Sequence, residues 1–172
     1  MKYDYKTLYE KNANWYHAHP TAKEALKLGN VFVSWLFVLA YAITIFNVVQ
    51  GDSLLPRDFA WFLFLPLLCL VTVSLMRLGF DRPRPYSEEG ANIEPLIQKN
   101  NCNGKSFPSR HVAAAFVIAT VISAHFLLAG IFLFFAAALL AYIRIATGLH
   151  YPSDVVVGAG IGLLIGLVIF FI

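Results

Sequence analysis

Charge is what this sequence has least of. Asp, Glu, Lys and Arg make up 13% of its 172 residues, where a soluble domain carries about a quarter. Hydrophobic residues make up 59%. That balance excludes an ordinary soluble domain and indicates a chain that lives in a bilayer. Cysteine is scarce as well: Cys69 lies deep in an apolar run and Cys102 in a polar loop. A disulfide between them is not expected, and neither a redox compartment nor a metal follows from such a pair. No secretory signal is expected, because no apolar core follows the first lysine and no small-residue cleavage site appears. The formal net charge of +3 is mild, and no nucleic-acid partner is expected. Internal repeats are missing. We therefore expect one integral-membrane domain over residues 1–172, with 1–29 as an N-terminal segment and 30–172 as a transmembrane core.

The apolar residues that are present fall into runs long enough to cross a bilayer. They span Val31 to Val49, Phe59 to Phe80, Ser109 to Leu128, Ile131 to Ala146, and Asp154 to Ile172. Turn residues separate them: Gln50-Gly51-Asp52-Ser53, a loop over 81–107 with the Asn100-Asn101-Cys102-Asn103-Gly104 cluster, Ala129-Gly130, and Gly148 as a helix C-cap. Residues 1–29 combine Tyr3, Tyr5, Tyr9, Trp15 and Tyr16 with five lysines, a composition suited to the membrane–water interface. The expected fold is all-α: a polytopic transmembrane bundle of about five spanning helices, preceded by interfacial helix broken near Pro20. Gly158, Gly162 and Gly166 recur every four residues, which places them on one face where helix backbones can approach closely.

Polar residues cluster at the mouths of these runs, where they are costly unless they serve a function. Arg77-(six residues)-Arg84-Pro85 closes the second run, Pro108-Ser109-Arg110-His111 opens the third, and Arg144-(five residues)-His150-(three residues)-Asp154 joins the fourth to the fifth. With five spans all three fall on one side of the membrane. Any one of these arginines alone reads as a snorkelling side chain at a helix end. Three converging arginines suit the oxygens of a phosphate. A helix start with Ser109 adds backbone donors. Asp154 can hold one imidazole nitrogen of His150 and leave the other free to attack, while His111 protonates a leaving oxygen. His111, His150 and Asp154 can also be read as metal ligands, but the nearby arginine charges oppose a bound cation. His125 reads as interfacial, His17 and His19 lack a partner pattern, and Arg82 could help bind substrate although nothing in its spacing argues for it.

The three motifs resemble the signature of the type 2 phosphatidic acid phosphatase superfamily, membrane lipid phosphate phosphatases whose soluble relatives include vanadium haloperoxidases. That signature reads Lys-(six)-Arg-Pro, Pro-Ser-Gly-His, and Ser-Arg-(five)-His-(three)-Asp, and the match here covers residues 77–154 in order and spacing. Arg77 stands where the family has lysine, Arg110 where it has glycine, and Ile143 where it has serine. The resemblance implies that His150 is the nucleophile of a phosphohistidine intermediate, that Asp154 orients it, and that His111 is the general acid. It implies phosphate binding by Arg77, Arg84, Ser109, Arg110 and Arg144, and needs neither metal nor cofactor.

The expectation is thus a multi-pass cell-membrane phosphatase acting on a lipid phosphate or diphosphate. Undecaprenyl diphosphate and a glycerophospholipid phosphate lead the substrates, with phosphatidylglycerophosphate or phosphatidic acid as the narrower alternatives. The bilayer itself is the other partner. Under five spans, Arg57 alone of the 13 Lys and Arg residues lies opposite the motifs, so the positive-inside rule places the site in the cytoplasm. Many bacterial relatives face outward instead. Rival readings are a protein that binds lipid phosphate without hydrolysing it, a vanadate-dependent haloperoxidase, and a structural or transport bundle.

Overall fold

The structure, a computed structural model, describes residues 5–50, 56–97 and 105–171. The Asn100–Gly104 cluster and Cys102 lie outside the described residues. Regular structure among those described is helical throughout: α1 (Tyr5–Ala18), α2 (Pro20–Gln50), α3 (Pro56–Gly79), α4 (Arg110–Ser123), α5 (Leu127–Ala146) and α6 (Pro152–Leu167). A 3-10 turn, Val168–Phe170, extends α6. Among the described residues, four segments are long and apolar enough to cross a membrane: Pro20–Gln50, Phe59–Gly79, Leu127–Ala146 and Pro152–Phe170.

The fifth apolar helix, α4, has 14 residues and rises roughly 21 Å, less than the ~30 Å hydrocarbon thickness. It can be short because it is the core. Helices α2, α3, α5 and α6 all pack on it. Val112, Ala113, Ala115, Val117, Ala119, Thr120, Val121 and Ile122 are all buried. The small residues among them let neighbours come close. On α6 the glycine face meets this helix, as its spacing predicts. A Cβ at Gly158 would stand 2.8 Å from the Ser109 carbonyl oxygen, one at Gly162 2.4 Å from that of Ala113, and one at Gly166 2.6 Å from the Thr120 Cβ. Close packing along α6 therefore sets its N-terminus directly beside Ser109.

Two boundaries differ from the sequence expectation. The turn between the third and fourth runs falls at Ala124–Phe126, not at Ala129-Gly130. Gly130 serves packing instead: a Cβ there would lie 2.2 Å from the Ser123 Cβ, so its absence lets the first turn of α5 fold back onto the end of α4. At the N-terminus the chain does break before Pro20, which takes the first position of α2. From there α2 runs unbroken for 31 residues, roughly 46 Å, so residues 20–29 belong to the first spanning helix. Ala22, Glu24, Ala25, Leu26 and Lys27 are good helix formers and nothing stops the helix before Val31.

Helix α1 is tied down across one end of the bundle. Tyr9, Ala13 and Tyr16 are its buried face. The Tyr9 hydroxyl donates to the Glu94 carbonyl at 3.0 Å and accepts from the Leu96 amide at 3.1 Å. Asn12 donates to the Ala146 carbonyl, and the Tyr16 and Tyr142 hydroxyls are 2.8 Å apart. This is the end that carries the three motifs.

Candidate active site

Each motif reaches this end for a local reason. Helix α5 stops because Gly148 takes φ +74°, a left-handed conformation that a side chain would strain. The Leu149 and His150 amides then both turn back to the Arg144 carbonyl, each at 3.2 Å. His150 is thereby pinned to the end of the helix that carries Arg144. The Tyr9 ring closes over Gly148, 2.8 Å from where a Cβ would sit. Four residues on, Asp154 lies in the first turn of α6. Its Oδ2 accepts from the Tyr151 amide at 3.0 Å, which caps the helix and suits the positive end of its dipole. Its backbone carbonyl accepts from the Ser109 amide at 3.0 Å, joining the third motif to the second.

The first motif closes the group. Arg77 donates through Nη1 to the Pro108 carbonyl at 3.0 Å and through Nη2 to the Lys105 carbonyl. It thus holds the segment that enters α4. Arg84 Nη1 lies 3.5 Å from the Leu149 carbonyl, a loose contact beside His150. Arg144 donates to Ser34 Oγ of α2 at 3.3 Å. Arg77, Arg84, Ser109, Arg144, His150 and Asp154 are therefore brought together. Arg110 and His111 form the first turn of α4 at the same end, and both are exposed.

His150 is 2% exposed and Asp154 0%. Their nearest approach, Nδ1 to Oδ2, is 3.5 Å, too loose to satisfy the imidazole nitrogen. Burial, reinforced by the charges of Arg84 and Arg144 and opposed by Asp154, pushes the imidazole down to about 4. It is neutral at physiological pH. Among the described residues, Ser109 Oγ and Arg144 Nε are also buried without a hydrogen-bond partner. An unsatisfied buried polar group costs about 1–3 kcal/mol, and here several gather at one site. Two of them can donate to an oxyanion, which would satisfy both at once.

Arg82 is the residue that sequence reasoning passed over. Its Nη1 stands 2.8 Å from Asp154 Oδ1 and 2.7 Å from Ser153 Oγ. The repeated Arg-Pro of Arg82-Pro83-Arg84-Pro85 was the available signal, since it presents both arginines alike. Ser34, Tyr5 and Tyr9 were missed too, and helical periodicity carries no trace of partners so distant in the chain.

The PAP2 superfamily profile matches residues 58–172, which contain all three motifs. Among solved structures, LpxE of Aquifex aeolicus is similar at 29% identity, covering 90% of this chain and 88% of that one, with a TM-score of 0.70. A transmembrane PAP2-type phosphatidylglycerolphosphate phosphatase from Bacillus subtilis is similar at 23% identity over 97% of this chain and 92% of that one, with a TM-score of 0.47. No curated protein matches the sequence. With the profile spanning α3 to α6 and every motif in place within it, the chain belongs to the PAP2 superfamily, the type 2 phosphatidic acid phosphatases, and is a membrane lipid phosphatase.

Proposed function

We propose that this single membrane domain removes phosphate from a lipid phosphomonoester or diphosphate through a phosphohistidine on His150. The setting of His150 carries the reading: a buried, neutral imidazole with Nδ1 towards Asp154, in the field of Arg84 and Arg144, beside unpartnered Ser109 Oγ. With Nδ1 on the Asp154 side, Nε2 is the attacking atom. It bonds to phosphorus as the bond from phosphorus to the lipid oxygen breaks. His111 gives that oxygen its proton. Water then attacks the phosphohistidine, losing a proton to His111. The phosphorus–nitrogen bond breaks, its electron pair returns to Nε2, and inorganic phosphate leaves.

Arg84, Arg144, Ser109 and the Arg110 amide stabilise charge on the transferring oxygens. Arg77 contributes its charge and, through the Lys105 and Pro108 carbonyls, holds the turn that presents Ser109. The clustered arginine charge opposes a divalent cation, so the mechanism runs without metal or cofactor. Undecaprenyl diphosphate and a glycerophospholipid phosphate are the substrates we favour; phosphatidylglycerophosphate and phosphatidic acid are narrower forms of the same reading.

The site faces the cytoplasm of the cell membrane in this proposal. Helix α1, with Lys6 and Lys11, docks at the motif-bearing end, so those lysines share the site's side. Counting α2 to α6 as crossings sends the C-terminus to the opposite side. A C-terminal reporter found in the cytoplasm would sink this orientation.

Purified protein in detergent, given a panel of these lipid phosphates, is expected to release inorganic phosphate equally with and without EDTA. Failure on every lipid overturns the enzymatic reading and leaves a binding protein. Loss of release only with EDTA overturns the metal-free mechanism.

A further inference from the structure

We propose that Arg82 is a positioning residue, which locks the Asp154 carboxylate so that it holds His150 with Nε2 presented to phosphorus. This rests on the roles given above to His150 and Asp154.

The carboxylate of Asp154 is completely enclosed, and a buried charge is tolerated only when paired and hydrogen-bonded. Its oxygens are divided. Oδ2 takes the Tyr151 amide and faces His150 Nδ1, while Oδ1 takes Arg82 at 2.8 Å. Arg82 is thus the countercharge that leaves Oδ2 available to the imidazole. Its Nη1 is committed to Asp154 and Ser153, not to an incoming oxyanion.

Arg82 is itself held from several sides. The Arg82 carbonyl accepts from the Ser106 amide at 2.8 Å. The guanidinium lies over the Tyr151 ring, 4.2 Å from its centroid, and that ring packs on Tyr5 of α1 at 4.8 Å. Stacking of this kind fixes a guanidinium plane. A continuous line therefore runs from α1 through Tyr5, Tyr151, Arg82 and Asp154 to His150. The side chain of Arg82 is 38% exposed, so solvent screens its charge in part; its worth lies in geometry as much as in field.

Charged groups around His150 are Asp154, Arg84 and Arg144; around Asp154 they are Arg82 and Arg77, with the phenols of Tyr5 and Tyr151. Removing Arg82 takes one positive charge from this set. Asp154 then draws a proton onto His150 more strongly, and the imidazolium persists to higher pH.

The test compares wild type with Arg82→Gln, Arg82→Lys, Asp154→Asn and the double variant Arg82→Gln/Asp154→Asn, measuring kcat, KM and the acid limb of kcat/KM. Expected are a kcat loss for Arg82→Gln on the order of 10- to 100-fold, with KM little changed. Its acid limb moves to higher pH, and Arg82→Lys recovers part of the rate. The double variant is expected to be no slower than Asp154→Asn alone, because Arg82 acts only through that carboxylate. The double variant also removes both charges of the pair together and leaves no unpaired buried carboxylate, so it keeps the test alive should Arg82→Gln fail to fold. A raised KM with kcat and acid limb unmoved makes Arg82 a substrate ligand and overturns the proposal. Fully additive losses in the double variant overturn it equally. A wild type that releases phosphate as fast as His150→Ala instead overturns the phosphohistidine reading beneath it.

Discussion

In the proposed mechanism His150 and His111 serve one site, yet they sit in different media. The first is sealed, in the company of Ser109, Arg144 and Asp154, all of them buried. The second is exposed on the first turn of α4, next to exposed Arg110. The difference suits the role proposed for each imidazole. A nucleophile needs an unprotonated nitrogen, and desolvation supplies one. An acid that later becomes a base must exchange protons with water, and exposure permits that. In this proposal the nucleophile lies where water is excluded and the proton donor where water is admitted.

His150→Ala is the hardest blow to the sealed half. The expected loss is on the order of 10³-fold or more in kcat, with no phosphoenzyme trapped from labelled substrate. His111→Ala should cost about 10²–10⁴-fold on a lipid phosphomonoester. On a lipid diphosphate the loss should be smaller, since a departing phosphate is a far weaker base than an alkoxide. Equal losses on both substrates would break the division between a buried nucleophile and an open acid.

Gly148→Ala tests the support beneath the sealed half. The positive φ and the Tyr9 ring both resist a side chain there. We expect about 1–3 kcal/mol of lost stability, seen as a lower unfolding temperature in detergent. Activity should fall further than stability explains, because the same turn aims His150.

Acid should also find the sealed half first. His150 has its folded value near 4, below the ordinary value of 6.5. Between those values the unfolded chain binds the proton and the folded one does not. Stability from this group is therefore fully present above pH 6.5 and declines as pH falls towards 4, by on the order of 3 kcal/mol. His150→Gln should flatten that decline in a pH series of unfolding temperatures; an unchanged slope would mean that the imidazole is not held neutral.

Most of the sealed half was legible in the sequence. Arg144, His150 and Asp154 have fixed spacing because one helix end and one helix start hold them, and Gly158, Gly162 and Gly166 announced the close packing of α6. The turn at Ala124–Phe126 was not legible, since Phe126, Leu127 and Leu128 restore high hydropathy directly after His125 and extend the apolar run past it. Nor was the docking of α1: aromatic residues among lysines describe a water–lipid boundary as well as a protein contact, and the Tyr9 partners lie 85 and 87 residues away. His125 shows the limit of the orphan argument. Its Nδ1 too is buried without a partner among the described residues, but its ring packs on Phe62 at 5.0 Å, away from the converging motifs. The gathered charges, not the unpaired nitrogen, mark His150.

The mildest test concerns Arg110, where the family pattern has glycine. Its amide at the start of α4 is the part proposed to meet phosphate, and every residue but proline keeps that donor. The side chain stands in solvent, where a single charge steers an anionic substrate but contributes little once the substrate is bound. Arg110→Ala should therefore raise KM by a few-fold, most at low salt, and leave kcat alone. Glycine is the less clean replacement, since it also costs the helix up to about 1 kcal/mol. A fall in kcat as deep as that of Arg144→Ala would place the Arg110 guanidinium on the phosphate itself. The open half would then be stabilising charge as the sealed half does, and exposure would no longer separate the two.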